Sequence, residues 1–162
     1  MLGNHDFWIG PEALNTLTLA YTLALGVHWL RNRNVRVERQ GTFIQLLGID
    51  DYWEDSSSLD AACKGLDAHA LRILLSHNPD NNEEIELSKI YIDSVISGHT
   101  HGCQVALPLL GQPAMPSRFG EKYRVGLVRD GERQTFISRG VGHLVAPIRF
   151  NCLPEVALIT LV

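Results

Sequence analysis

The chain has 162 residues, 45% of them apolar and 20% charged, with a net charge of -4 and three cysteines. That charge excludes a nucleic-acid partner held by phosphate neutralisation, which requires a basic face. No run reaches the ~18 apolar residues of a membrane span, and Cys63, Cys103 and Cys152 form no Cys-x-x-Cys pair, so reduced, mostly buried thiols are expected.

Met1 and Leu2 precede a Gly3-Asn4-His5-Asp6 turn. Pro11 after Gly10 is placed to be a first helical residue, with Glu12 in the positive first turn. Leu14, Leu17, Tyr21 and Leu25 then recur at helical spacing, and Gly26 ends the helix. Val35 to Glu38 and Phe43 to Leu47 read as a hairpin around Gln40-Gly41, and Leu59 to Leu66 as a short amphipathic helix. Leu71 to Leu75 is almost continuously apolar, which fits a strand buried on both faces. Glu83 to Lys89 reads as helix and Ile92 to Ser97 as a buried strand ending at Gly98. Tyr123 to Val128 and Gln134 to Ser138 form a predicted hairpin closed at Asp130-Gly131. Val156 to Leu161 reads as a last core strand. No internal linker divides the chain, so one α/β domain is expected.

Three short pieces carry chemistry: Gly3-Asn4-His5-Asp6, Ser76-His77-Asn78-Pro79 and Gly98-His99-Thr100-His101-Gly102. The last two each follow a strand-like run, in the loops at strand ends where sites of α/β proteins lie. His99 and His101 are two apart, so an extended segment would present both imidazoles on one face. Three imidazoles and an amide oxygen suit borderline divalent ions. Without thiolates or a ring of oxygens they suit neither a closed structural zinc site nor a calcium cage.

Together with Gly48-Ile49-Asp50-Asp51, Ser138-Arg139-Gly140-Val141-Gly142 and Pro154-Glu155-Val156, these pieces resemble the calcineurin-like metallophosphoesterases, in particular a bacterial membrane-associated phosphodiesterase branch. That family carries five blocks, and this chain has the last three in order; an Asp-x-His and a Gly-Asp-x-x-Asp are not among its residues. Cys103 stands where the branch usually has a second glycine. The resemblance implies a four-layer α/β/β/α sandwich over residues 1–162, truncated at the N-terminus. It implies two divalent ions (manganese, iron, zinc or nickel) and a phosphoester, by the branch a phosphodiester, as substrate. Asn4, His77 and His99 would ligate one ion and His101 the other, with the bridging carboxylate in the missing blocks. His5 would be catalytic, facing the substrate with Asn4 and stabilising or protonating the leaving oxygen. The implied full-length protein is bacterial, inner-membrane-associated through the missing N-terminus or cytoplasmic.

Other residues take blander readings: His28 half-buried, His69 at the surface, His143 in a glycine-rich loop, and Trp8, Trp29 and Trp53 as packing and lip residues. Arg139 and Arg149 read as surface ion pairs, and Asp50-Asp51 as lying at a strand end away from the ligands. Besides the enzyme, two readings stand: a remnant, or a half-domain that binds a separately encoded N-terminal half. The chain by itself is expected to be inactive.

Overall fold

The computed structural model describes residues 1–54, 57–107, 116–143 and 146–161. Its elements are α1 (Asn4–Phe7), α2 (Pro11–Leu25), β1 (Arg33–Arg39), β2 (Thr42–Gly48), α3 (Leu59–Ala62), β3 (Leu71–Leu75), α4 (Asn81–Ser88), β4 (Ser94–Ser97), β5 (Gly126–Asp130) and β6 (Arg133–Ile137). The strands form one sheet in the order β1-β2-β3-β4-β6-β5. β2, β3, β4 and β6 are parallel, and each outer strand joins its neighbour as an antiparallel hairpin.

This register brings the four functional loops together. Ile49 to Asp51 leave β2, His77 leaves β3, His99 and His101 leave β4, and the 138–143 segment leaves β6, all at the C-terminal edge of the parallel strands. Leu47, Leu74 and Val95 of the central strands pack with Ile49, Leu59, Ala62, Ile85 and Ile92 in the main core, which fixes where those strands end. Gln40-Gly41 turns the first hairpin with both residues at positive φ.

Several elements differ from expectation. α2 begins at Pro11 and stops at Gly26, whose left-handed backbone lets its N–H cap Thr22. Only Leu14 of its apolar stripe is buried, however, while Leu17, Tyr21 and Leu25 are exposed. α3 is a single turn capped by Ser58 and does not extend to Leu66; Gly65 at φ +71 turns the chain first. Tyr123 closes a 3-10 turn ahead of β5, because its hydroxyl is tied to Glu83 and Asp130. Val156 to Leu161 is not a core strand: it pairs with no strand among the described residues, and Leu158 is 93% exposed. β1 and β5 are the edge strands of the sheet, and the run pairs with neither. The described residues hold one six-stranded sheet, so the second sheet of the expected sandwich is not among them.

Candidate metal centre

Asn4 opens the one-turn helix α1. The Asp6 carboxylate caps that helix by accepting from the Gly3 N–H at 2.8 Å. The Asn4 N–H donates to Asp51, a fully buried carboxylate just beyond β2 whose pKa burial raises. Asp50 beside it pairs with Arg31 at 2.9 Å. Asp51 therefore anchors the Asn4 turn, which corrects its expected position away from the ligands, while Asp50 is held by Arg31. Gly3 is required by contact, since a Cβ there would meet the His77 ring at 2.8 Å.

His77 follows β3 and brings Nε2 to 3.2 Å from Asn4 Oδ1. Its ring meets that of His99 edge to face, with centroids 5.0 Å apart. Burial lowers the His77 pKa to about 4 and that of His99 to about 3, so both imidazoles are neutral near pH 7 with a lone pair available for a cation. The His99 ring donates to the Pro116 carbonyl, which fixes its orientation as a backbone partner does for a metal-ligating histidine. Its Nε2 is buried and has no hydrogen-bond partner among the described residues. His101 donates to the Gly142 carbonyl, and burial lowers its pKa as well.

The turn that carries His99 and His101 holds most of its residues at positive φ, with Thr100 alone right-handed. His99, His101, Gly102, Cys103 and Gln104 all have φ between +51° and +68°. The pair is therefore not in the extended conformation that the two-residue spacing suggested. Gly102 is held there by packing, because a Cβ would lie 2.7 Å from both Arg139 Cγ and Cys152 Sγ. Cys103, at φ +68°, occupies a position that glycine fills without strain. Cys103→Val, close in size but β-branched, is expected to destabilise the chain by about 2 kcal/mol. Cys103→Gly is expected to stay within about 1 kcal/mol of the parent, as relieved strain offsets lost burial. Urea midpoints decide the matter, and equal stability of the two variants would contradict this backbone.

Arg149 is not a surface ion pair. Its guanidinium donates to the carbonyls of His101, Arg139, Gly140, Gly142 and Cys152, stitching the loop after β6 onto the histidine turn. Arg139 does form the expected ion pair, with Glu155 at 2.6 Å. His28 is exposed where half-burial was expected, and His69 is exposed as expected.

Asn4, His5, His77, His99 and His101 all line one cavity of about 440 Å³, together with Asp6, Trp8, Trp53, Pro116 and His143. His143 is the residue the sequence undervalued; its only signal was its place after the glycine-rich end of β6. Among the described residues no three His, Cys, Asp or Glu side chains stand as a ready-made metal cage. The donor set nonetheless fits a divalent ion. The 3.2 Å between His77 Nε2 and Asn4 Oδ1 matches two ligands sharing one ion at ~2.1 Å each, and the His99 Nε2 lacks any other partner among the described residues. A larger hollow of about 560 Å³ beside α4 and the β5–β6 turn pairs several of its charges internally, Lys122 with Glu83 and Asp130, and Arg133 with Glu86.

Comparison with known proteins decides the lineage. The chain is 34% identical over 160 residues to phosphodiesterase YaeI of Escherichia coli strain K12, covering 99% of this chain and 56% of that protein. It is 33% identical over 159 residues to the uncharacterized protein YpbG of Bacillus subtilis strain 168, covering 98% of this chain and 56% of YpbG. To the uncharacterized metallophosphoesterase YkuE of the same organism it is 30% identical over 121 residues, covering 75% of this chain and 41% of YkuE. The chain belongs to the calcineurin-like metallophosphoesterases. It spans about 56% of the length of the first two of these relatives. No family model and no solved structure matches it. Among the described residues no helix is long and apolar enough to cross a membrane.

Proposed function

We propose that this metallophosphoesterase chain serves the metal-dependent hydrolysis of phosphodiester bonds. In this reading it supplies Asn4, His77 and His99 to one divalent ion and His101 to a second. The bridging carboxylate and remaining ligands come from an Asp-x-His and a Gly-Asp-x-x-Asp outside these residues, and the segment bearing them adds the second sheet of a four-layer sandwich. The observation that carries the reading is the buried Nε2 of a neutral His99, without a partner among the described residues, on a cavity wall shared with His77, His101 and Asn4.

When bound, the divalent ions supply Lewis acidity, which makes water acidic enough to attack near neutral pH and offsets phosphate charge. The protein's own groups do the rest. Neutral His77 and His99 present lone pairs without first losing protons, and the Pro116 and Gly142 carbonyls set the orientation of the His99 and His101 rings. His5, exposed at the cavity mouth, gives a proton to the leaving oxygen as the bond to phosphorus breaks.

The test supplies the missing acidic blocks and follows bis-p-nitrophenyl phosphate. Turnover should vanish with chelator and return with manganese. His5→Ala should slow an alkyl-ester substrate at least about tenfold more than the p-nitrophenyl one, because an easily expelled phenolate needs little acid assistance. Equal losses would make His5 a phosphate-binding group instead of the acid.

A second reading, a half-domain that joins a separately made N-terminal half, is favoured by the exposed Leu19, Leu23 and Leu25 of α2 and the exposed tail from Leu153 to Leu161. Sedimentation of the chain alone and mixed with that half discriminates the two: a stable 1:1 complex supports the half-domain, and two non-interacting species oppose it.

A further inference from the structure

The cavity mouth holds an aromatic surface that ligation of a metal does not require. Trp8 is 65% exposed, and an indole that open would ordinarily move among rotamers. Here it is fixed twice. Its Nε1–H donates to Glu54 Oε1 at 2.8 Å, and its ring stacks on that of His5 with centroids 4.2 Å apart and planes 22° from parallel. With His5 against one face, exposure of this size leaves the other face open. Trp53 lines the same cavity, 43% exposed, with its ring edge-on to His99 at 4.4 Å.

The geometry points to Trp8 as a stacking platform for a planar, aromatic substituent of the phosphoester. This rests on the phosphoesterase reading, in which His5 serves the leaving oxygen. A group attached to that oxygen then falls beside the residue stacked on His5. An aromatic ring gains from an indole face beyond simple burial, whereas a saturated ring of similar bulk has no π face to offer. The cavity, about 440 Å³, is large enough to hold a phosphoryl group and a ring together.

The test titrates the zinc-loaded protein supplied with both acidic blocks, zinc being diamagnetic, with phenylphosphonate, cyclohexylphosphonate and methylphosphonate, whose carbon–phosphorus bond is not hydrolysed. Affinities are read by NMR from the indole N–H and imidazole signals. Phenylphosphonate should bind roughly fivefold more tightly than methylphosphonate, with the cyclohexyl compound nearer the methyl one. Trp8→Ala should erase the phenyl preference and leave methylphosphonate affinity unchanged, and Trp8→Phe should keep most of it. Equal binding of phenyl- and methylphosphonate by the parent protein would overturn the platform. So would a Trp8→Ala variant that weakens both alike, since the indole would then merely prop His5. Failure of all three phosphonates to bind would instead overturn the phosphate site itself, and the platform with it.

Discussion

His99→Ala is expected to reduce manganese-dependent hydrolysis of bis-p-nitrophenyl phosphate, in protein supplied with both acidic blocks, well beyond the roughly 10–100-fold that loss of an outer-shell partner costs. The reason lies in what the imidazole lacks. It is 7% exposed, its other nitrogen is committed to Pro116, and burial holds it neutral, with a pKa of about 3. A buried nitrogen left without a partner costs stability unless something else uses its lone pair. Alanine removes that cost together with the ligand, so circular dichroism should show a folded variant. Its metal content should fall with its activity. His101→Ala should likewise abolish most turnover, by emptying the other ion's place. His69→Ala, at an exposed position remote from the cavity lining, should leave both readouts unchanged. Full activity in His99→Ala would remove the ligand assignment.

Metal stoichiometry of the 162 residues alone should be at most one ion per chain, weakly held, with little or no hydrolysis. Two divalent ions ~4 Å apart repel by about 16 kcal/mol even at an effective dielectric near 20, each of the four unit-charge pairs costing about 4 kcal/mol. A bridging carboxylate offsets that repulsion in a binuclear centre. The acids nearest this site are engaged elsewhere: Asp6 caps α1, and Asp51 accepts from the backbone of Asn4 and Trp53. Inductively coupled plasma analysis of dialysed protein, beside a turnover assay, gives the answer. Two tightly bound ions with manganese-dependent turnover would contradict this distribution of ligands.

Local signals in the chain were faithful where a single residue type decides the geometry. Gly26 could end α2 and Gln40-Gly41 could turn β1 into β2 because both places demand positive φ. His77 and His99 could be placed at strand ends because the preceding apolar runs stop there. What the sequence did not disclose depends on partners distant in the chain. The apolar run from Val156 to Leu161 states that a strand could form, not that it pairs with an edge. The stripe Leu17, Tyr21 and Leu25 likewise specifies a helix without specifying what covers it. Arg149 resembled any surface arginine until five carbonyls from three segments were seen to converge on it. Asp51 looked remote because nothing in the chain order shows that β2 ends beside the Asn4 turn. The left-handed winding from His101 to Cys103 was half visible: Gly102 signals it, whereas Cys103 conceals it.

The most direct test of the centre is anomalous diffraction from crystals of the protein grown with manganese, collected on either side of the manganese absorption edge. The account predicts a peak within bonding distance, about 2.1–2.3 Å, of His99 Nε2 and His77 Nε2, with the Asn4 side-chain oxygen completing the same ion. A manganese peak elsewhere on the chain, with His99 Nε2 still unligated, would contradict it.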